Sequence, residues 1–259
     1  MMSSDQTVRV VIPARYGSTR LPGKPLVDLG GKPMLARVYE AAHAALPGAD
    51  AIVAIDDERV MEVMELHGIP AVMTNPQHDS GLDRVAEVAR LRGWGDEDIV
   101  INIQGDEPLV PPDLLRAFMS FCQTRGAFSM ATISVPIDSA DHIHDPNVVK
   151  LLVDEAGDAI VFSRAPIPFD REGRHDVGNP SNYLRHVGIY AYRNCVVQRV
   201  THAPTCMLER VEKLEQLRAL WLGIPIHVFS WCQSPPHGVD TPEDAVRVAA
   251  IFKEARHDS

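Results

Sequence analysis

The sequence has few cysteines, and their spacing forms no recognisable motif. Four are present, at positions 122, 195, 206 and 232, without a Cys-x-x-Cys pair. This pattern argues against a zinc site or a disulfide framework and is typical of the reduced thiols of a cytoplasmic protein. Apolar runs of membrane-spanning length are missing, and the first residues, MMSSDQT, lack the apolar stretch of a signal peptide. We therefore expect a cytoplasmic protein that does not insert into membranes.

Positive charge is in the minority. The chain has 25 Lys and Arg against 35 Asp and Glu, which gives a formal net charge of −10. Such an excess of negative charge disfavours nucleic acid as a partner, so any anionic substrate must be attracted by a local basic cluster. Hydrophobic residues make up 45% of the 259 positions. This content supports a full core in one large α/β domain, or in a domain with an insert.

The two best-known phosphate-binding motifs are absent as well. Five residues separate Gly17 from Gly23 where a Walker A loop has four, and Pro25 follows Lys24 in place of a magnesium-binding hydroxyl. The dinucleotide fingerprint G-x-G-x-x-G is also missing, which disfavours an NAD-dependent oxidoreductase.

A buried strand that ends in a basic loop is present instead. The apolar, β-branched run 8–12 predicts a strand that is buried on both faces. After this strand comes a glycine-containing loop with four polar residues that suit phosphate binding: Arg15, Ser18, Arg20 and Lys24. Backbone N–H groups and cations at the end of a strand commonly surround phosphates. The loop therefore predicts a site for a nucleoside triphosphate, although solvated cations on a surface loop would give the same pattern.

Strand and helix patterns alternate along the first half of the chain. Further buried strands are predicted at 51–55, 69–73 and 99–104, and helices are predicted to start near residues 33, 57, 80 and 111. Later strand-like runs lie at 130–136, 148–153, 160–164 and 185–192. The order predicts an α/β protein built from βαβ units. Residues 170–182 are polar without periodicity and predict a functional or mobile loop.

Acidic residues follow the strand predicted at 99–104. Asp106, and less convincingly Glu107, lie just past its carboxyl end, where α/β folds bind ligands. A carboxylate there either holds Mg²⁺ bridging phosphate oxygens or fills a turn. Asp240 precedes Thr241, the predicted cap of the last helix, so its residue context alone favours a capping role over metal binding.

Three further patterns leave alternatives open. Arg84 falls in the first turn of a helix capped by Ser80 or Asp79, where an anionic partner and simple solvation are equally compatible. Alternation along 185–192 places His186 and Tyr190 on one face, which suits a cleft or a wet surface. A single helix is predicted over 207–222, with Glu215 and Gln216 on its polar side and an ordinary pair between Glu209 and Lys213.

Six segments together resemble the 3-deoxy-D-manno-octulosonate (KDO) cytidylyltransferases. They span nearly the whole chain: IPARYGSTRLPGKPL (12–26), NIQGDEPLVP (102–111), FSRAPIPFDR (162–171), LRHVGIYAYR (184–193), LEQLRALW (214–221) and GVDTPEDA (238–245). The resemblance implies a Rossmann-like three-layer nucleotidyltransferase fold with a central mixed, mostly parallel sheet. It further implies a single domain over 1–259, with a smaller sugar-binding and dimerisation subregion around 136–222, and a homodimer.

The resemblance also implies an activity and a set of site residues. The enzyme would use Mg²⁺ to transfer CMP from CTP to the anomeric hydroxyl of KDO, giving CMP-KDO and pyrophosphate for lipopolysaccharide biosynthesis. The implied nucleotide-binding residues are Arg15, Ser18, Arg20, Lys24, Arg84 and Gln104. The implied metal ligands are Asp106 and Asp240, which act in catalysis with Arg20 and Lys24. The implied sugar-binding residues are Arg164, His186, Tyr190, Glu215 and Gln216.

One segment departs from the family's pattern. HDSGLDR (78–84) has Leu82 where the family usually has Thr, and Asp83 where it often has Glu. Since leucine cannot form hydrogen bonds, any polar role of position 82 is lost. A related acid substrate, such as sialic acid or an 8-amino analogue of KDO, therefore stays open. A catalytically inactive nucleotide-sensing module is the alternative of a different class.

Overall fold

The computed structural model describes residues 7–125, 128–174 and 182–257. Their helices and strands follow in chain order: β1 (Val8–Pro13), α1 (Met34–Ala45), β2 (Asp50–Ile55), α2 (Glu58–Leu66), β3 (Ala71–Met73), α3 (Gly81–Leu91), β4 (Ile99–Asn102), α4 (Pro112–Thr124), β5 (Met130–Pro136), α5 (Ala140–His144), β6 (Lys150–Val153), β7 (Ala159–Ser163), β8 (Leu184–Arg193), α6 (Asn194–His202), α7 (Met207–Glu212), α8 (Gln216–Trp221), β9 (Ile226–Ser230) and α9 (Pro242–His257), with a 3₁₀ turn at Lys24–Leu26.

The chain divides into two compact units. The first comprises Met1–Ala117 and Pro235–Ser259, and the second comprises Phe118–Ser234. The predicted subregion 136–222 falls within the second unit, and its role in sugar binding and dimerisation stays a prediction. Most of the predicted loop 170–182 lies outside the described residues. In the described part of the chain, no helix combines the length and apolar character needed to cross a bilayer.

The first unit contains a parallel sheet in the order β3-β2-β1-β4. The central strand β1 pairs with β2 and β4, so that Val11 lies between Ile52 and Asn102. Its neighbours β2 and β4 are almost completely buried, and their β-branched side chains are typical of strands that are covered on both faces. The βαβ prediction is therefore confirmed here. In a parallel sheet the carboxyl ends of the strands meet at one edge, and the site lies at this edge.

A small apolar cluster ties the last helix, α9, to the beginning of the chain. Leu21, Leu29 and Met34 pack with Val239 and with two residues of α9, Ala245 and Val248. Gly30 adopts a left-handed conformation with φ 68°, and a Cβ at this position would lie 2.9 Å from the Cβ of Phe252. Glycine is therefore required for this close approach. The cluster places the segment before α9, which contains Asp240, beside the basic loop.

The second unit contains antiparallel and parallel pairings. Strand β5 pairs with β8 in the antiparallel sense and with β9 in the parallel sense, while β6 pairs antiparallel with β7 and β8. The β5–β8 register shifts between Thr132, opposite Tyr190, and Ile133, opposite Val187. The simple alternation predicted for 185–192 is therefore interrupted by a bulge between His186 and Tyr190.

The single helix predicted over 207–222 is wrong. Helix α7 ends at Glu212, Lys213 adopts a left-handed conformation with φ 54°, and α8 begins only at Gln216. The predicted pair between Glu209 and Lys213 is wrong as well. Glu209 is buried and accepts a hydrogen bond of 2.7 Å from Nε of the buried Arg218. A buried carboxylate needs a buried cation, and the break in the helix allows this pairing.

Candidate active site

A pocket of about 340 Å³ lies at the carboxyl edge of the parallel sheet in the first unit. It contains all eight residues that were predicted for the nucleotide and metal sites: Arg15, Ser18, Arg20, Lys24, Arg84, Gln104, Asp106 and Asp240. These residues come from four separate segments of the chain. The folded chain thus brings together the residues that the sequence pattern and the resemblance selected, although their roles stay predictions.

Lys24 lies at the centre of the charged groups in this pocket. Its Nζ donates to Oδ2 of Asp106 at 2.6 Å and to Oδ1 of Asp240 at 2.8 Å. Arg20 Nη2 donates to the same Asp240 oxygen at 3.1 Å. Burial of the ammonium lowers its pKa, but the charges and hydrogen bonds of the two carboxylates outweigh this effect, and the pKa of Lys24 is raised. Lys24 is therefore charged and bridges the two carboxylates.

A backbone contact explains why two aspartates so distant in sequence meet. The N–H of Val239 donates to the carbonyl of Asp106 at 2.8 Å. A Cβ on Gly238 would approach the same carbonyl to 2.9 Å, so only glycine fits this position. Glu107, the weaker metal candidate, does not line the pocket, and its carboxylate lies beside Gly238.

The capping role favoured for Asp240 from its residue context is wrong. Thr241 Oγ1 accepts from the N–H of Asp244 at 3.2 Å, and Asp244 Oδ2 accepts from the N–H groups of Asp240 and Thr241. This exchange is the reciprocal capping arrangement expected at a helix start. Because Thr241 and Asp244 satisfy the start of α9, the carboxylate of Asp240 points at Lys24 and Arg20 instead.

The donor set fits a magnesium ion that is shared with a nucleotide. Asp106 and Asp240 both contact one cationic atom, so a single ion could also reach both carboxylates. Mg²⁺ commonly takes one or two protein carboxylates and completes its coordination with substrate phosphates and water. Among the described residues, no cluster of three or more His, Cys, Asp or Glu side chains could hold a metal alone. Two carboxylates beside the cations Arg20 and Lys24 match an ion whose remaining ligands come from a nucleotide and water.

Arg84 is neither solvated nor exposed. Its guanidinium donates to Asp56 Oδ2 at 2.8 Å, to Thr74 Oγ1 at 2.9 Å and to the carbonyl of Asn75 at 3.2 Å. The acidic partner of Arg84 is therefore Asp56, at the end of β2. Arg84 still forms part of the pocket wall.

The departure at position 82 lies outside the pocket wall. Leu82 is almost fully buried and is not among the pocket residues. Ser80 and Asp83 cap α3 reciprocally, because Ser80 Oγ accepts from the N–H of Asp83 while Asp83 Oδ2 accepts from the N–H of Ser80. The shorter Asp83 thus performs the capping function that glutamate has in such boxes.

Sequence reasoning missed His78 as a pocket residue. Its Nε2 lies 2.6 Å from Oε2 of Glu87, which also accepts from the N–H of Asn75 at 2.9 Å. His78 lies two residues before the capping residue Ser80, and that proximity was the available signal. Loops before a helix at the carboxyl edge of a parallel sheet commonly line ligand sites.

In the second unit, three of the five predicted sugar-binding residues form a cluster, and Arg164 is held by separate contacts. The rings of His186 and Tyr190 are in contact, with centroids 5.2 Å apart. Burial and then the charge of Glu215 raise the pKa of Tyr190 well above its usual value, so Glu215 lies nearby. Gln216 is buried at the start of α8. The structure thus gathers His186, Tyr190 and Glu215.

The contacts of His186 define its protonation. Burial, and then the charge of Arg185, lowers its pKa to about 3, so the ring is neutral at pH 7. Its Nε2 lies 2.9 Å from Oγ1 of Thr132, whose hydroxyl donates to the carbonyl of Ile189 at 2.9 Å. Because that hydroxyl has a single hydrogen, it accepts from His186, and the ring carries its proton on Nε2.

Arg164 is held by other contacts. Its Nε donates to the carbonyl of Glu212 at 2.8 Å, and its Nη1 donates to the carbonyl of Pro146 at 2.7 Å. The buried Lys150 donates to the carbonyl of Arg164 at 2.6 Å. These contacts fix the position of Arg164, and its role in sugar binding stays a prediction.

Comparison with known proteins shows the family. The model of the family described as Cytidylyltransferase matches residues 9–226. The protein named 3-deoxy-manno-octulosonate cytidylyltransferase 2 from Paraburkholderia phytofirmans is 56% identical over 251 residues, which cover 96% of this chain and 95% of that protein. A protein of the same name from Burkholderia ambifaria is 54% identical over 256 residues, which cover 98% and 96% of the two chains.

The chain belongs to the 3-deoxy-manno-octulosonate cytidylyltransferase family. The sequence resemblance is therefore confirmed, and the chain is a nucleotidyltransferase. A solved structure described as CMP:2-keto-3-deoxy-manno-octonic acid synthetase complexed with CTP agrees with this assignment. It is 41% identical and superposes with a TM-score of 0.88, covering 96% of this chain and 100% of that chain. The expected α/β nucleotidyltransferase fold with a mixed, mostly parallel central sheet is confirmed by this match.

Proposed function

We propose that this protein transfers CMP from CTP to the anomeric 2-hydroxyl of KDO, giving CMP-KDO and pyrophosphate for lipopolysaccharide biosynthesis. The observation that carries the proposal is the Lys24 bridge, which joins the basic loop to Asp106 and Asp240 in one pocket. Cations for a triphosphate and carboxylates for a metal are the two groups that nucleotidyl transfer requires. Relatives at more than half identity that carry this activity in their names support the choice of substrates.

The triphosphate would bind to the basic loop. Arg15, Ser18, Arg20 and Lys24 line one side of the pocket and supply cationic and hydroxyl donors. In the reaction, the 2-hydroxyl oxygen of the sugar acid attacks the α-phosphorus, and the bond between the α-phosphorus and the pyrophosphate oxygen breaks. The hydroxyl proton leaves to solvent. Arg20 and Lys24 would stabilise the charge that develops on the departing pyrophosphate.

Asp106 and Asp240 would hold Mg²⁺. When bound, the ion neutralises phosphate charge and favours ionisation of the attacking hydroxyl. The two carboxylates would also release Lys24, which becomes available to the phosphates. Most of the rate enhancement then comes from positioning and from preorganised charge, because this transfer requires little covalent chemistry from the protein.

We propose that the sugar acid is bound by Arg164, His186, Tyr190, Glu215 and Gln216. Neutral His186, with its proton directed at Thr132, leaves Nδ1 as a hydrogen-bond acceptor for a sugar hydroxyl. A related acid, such as sialic acid or an 8-amino analogue of KDO, is the alternative substrate.

A homodimer in the cytoplasm completes the proposal. The short helices α7 and α8 expose Met207, Val211 and Trp221, apolar side chains that a second copy of the second unit would cover. Cys122 and Cys206 are buried free thiols, which fits a reducing compartment. Sedimentation of the purified protein tests the dimer.

A pyrophosphate-release assay tests the proposed function. CTP is compared with the other nucleoside triphosphates, and KDO is compared with sialic acid and the 8-amino analogue. We expect release only with CTP, and fastest with KDO. Asp106→Ala and Asp240→Ala should each abolish turnover while the far-ultraviolet circular dichroism stays unchanged. Full turnover in either variant contradicts the metal assignment, and no CTP-dependent release by the unaltered protein would favour a nucleotide-sensing module.

A further inference from the structure

The first residues of the basic loop are fixed by two backbone N–H groups, and Asp56 accepts a hydrogen bond from one of them. The N–H of Ala14 donates to the carbonyl of Ala54 at 2.8 Å, which extends the β1–β2 pairing one residue past the strand. Two residues later, the N–H of Tyr16 donates to Oδ1 of Asp56 at 2.9 Å. Arg15, exposed at the pocket, lies between these two anchored residues. The direction of its side chain therefore depends on both contacts.

The second oxygen of Asp56 is fixed from the other side. Arg84 Nη2 donates to Oδ2 of Asp56 at 2.8 Å, in an ion pair whose side chains are only 5% and 13% exposed. Arg84 Nη1 donates to Thr74 Oγ1, and the Thr74 hydroxyl donates to the carbonyl of Ile55 at 2.8 Å. Since each oxygen of the Asp56 carboxylate has its own partner, the carboxylate has a defined orientation.

The ring of Tyr16 adds a second attachment to the same turn. The guanidinium of Arg59 lies over this ring at 3.7 Å, and Asp57 holds Arg59 through its own carboxylate. A Cβ on Gly23 would lie 3.4 Å from the Tyr16 hydroxyl, so the ring lies close to the far end of the basic loop. Tyr16 thus belongs to the start of the loop that contains Arg15, Ser18 and Arg20, and its ring lies near the end of this loop.

We propose that Asp56 is a positioning residue for triphosphate binding. It acts through the backbone N–H of Tyr16 to set the geometry of the basic loop, and Arg84 holds its carboxylate in place. Asp56 is not among the pocket residues, and an unpaired carboxylate so near would repel phosphates. The Arg84 charge removes this repulsion. Arg84 therefore contributes to nucleotide binding mainly through Asp56 rather than as a direct phosphate ligand.

A matched pair of double variants separates the hydrogen bond from the ion pair. Asp56→Asn with Arg84→Met and Asp56→Ala with Arg84→Met both lack the buried ion pair. They differ in the side chain of residue 56, since asparagine keeps an oxygen that can accept from the N–H of Tyr16 and alanine has none. We measure CTP binding by calorimetry, and we measure KM for CTP and for the sugar acid separately. Asp50→Asn, which removes an ion pair with Arg9 at the other end of β2, is the control.

We expect the asparagine double variant to bind CTP roughly tenfold more tightly than the alanine double variant, as the loss of one well-placed hydrogen bond predicts. KM for the sugar acid should be equal in the two, and Asp50→Asn should match the unaltered protein. Equal CTP binding by the two double variants would overturn the proposal, and so would equal weakening of both substrates. The inference rests on the proposed function. If that function fails, the unaltered protein shows no turnover, whereas failure of the inference leaves it active.

Discussion

Replacing Lys24 by methionine tests whether its ammonium occupies the position of a metal ion in the nucleotide-free protein. Methionine has a similar length without the charge, so Asp106 and Asp240 lose the cation they share. The two carboxylates should then bind a divalent cation in the absence of nucleotide. In the unaltered protein, the ion must first displace Lys24.

The size of the effect follows from the exposure of the three side chains. Lys24 is 15% exposed, while Asp106 and Asp240 are 35% and 46% exposed, so solvent screens both ion pairs considerably. A pair at the upper end of the surface range contributes about 1 kcal/mol, and two such pairs contribute about 2 kcal/mol. Because 1.4 kcal/mol corresponds to a factor of ten, the variant should bind the ion about 30-fold more tightly.

Electron paramagnetic resonance of Mn²⁺ provides the measurement, since Mn²⁺ accepts the same oxygen ligands as Mg²⁺. Free Mn²⁺ is titrated with each protein without nucleotide. Lys32→Met is the matched control, because Lys32 pairs with Glu40 and its loss changes the net charge equally. Turnover of Lys24→Met should fall while its affinity for Mn²⁺ rises. Equal Mn²⁺ affinities of Lys24→Met and the unaltered protein would refute the reasoning.

Two further predictions concern the second unit. Glu209→Gln leaves Arg218 buried without its carboxylate, so the free energy of unfolding measured by urea denaturation should fall by about 3 kcal/mol. Lys213→Gln is the control and should change this free energy by less than about 0.5 kcal/mol. Equal effects of the two substitutions would contradict the observed pairing. The depressed pKa of His186, about 3 against 6.5, means that below pH 6.5 the unfolded chain takes up a proton that the folded protein does not. Stability should therefore fall as the pH decreases from about 6.5 towards 3, and His186→Gln should show a shallower fall in urea midpoints.

Local patterns were sufficient to predict the parallel half of the fold. Runs of β-branched residues such as 8–12 and 51–55 form strands because they are buried on both faces, and these predictions hold to within one or two residues. The cap at Ser80 was also predictable, because it depends only on residues three positions apart. In these segments the decisive interactions are local in sequence.

Contacts between distant residues were not predictable in the same way. The helix break at Lys213 allows the buried pairing of Glu209 with Arg218, and no spacing rule identifies that partner. Arg84 lies in α3, and its acidic partner Asp56 lies just past the end of β2, so the sequence around Arg84 could not distinguish pairing from solvation. The orientation of Asp240 likewise depends on Asp244, which satisfies the helix start in its place.

The packing of α9 against residues near the beginning of the chain has a consequence for synthesis on the ribosome. Strand β1, the basic loop and Asp106 emerge early, but Asp240 and the α9 residues that pack on Leu29 and Met34 emerge late. A nascent chain that stops before residue 240 therefore carries Lys24 with one carboxylate and an uncovered apolar surface. Such a product lacks the second proposed metal ligand, and it exposes apolar surface of the kind that chaperones and proteases recognise. The proposed metal site and the apolar cluster are therefore both completed late in translation.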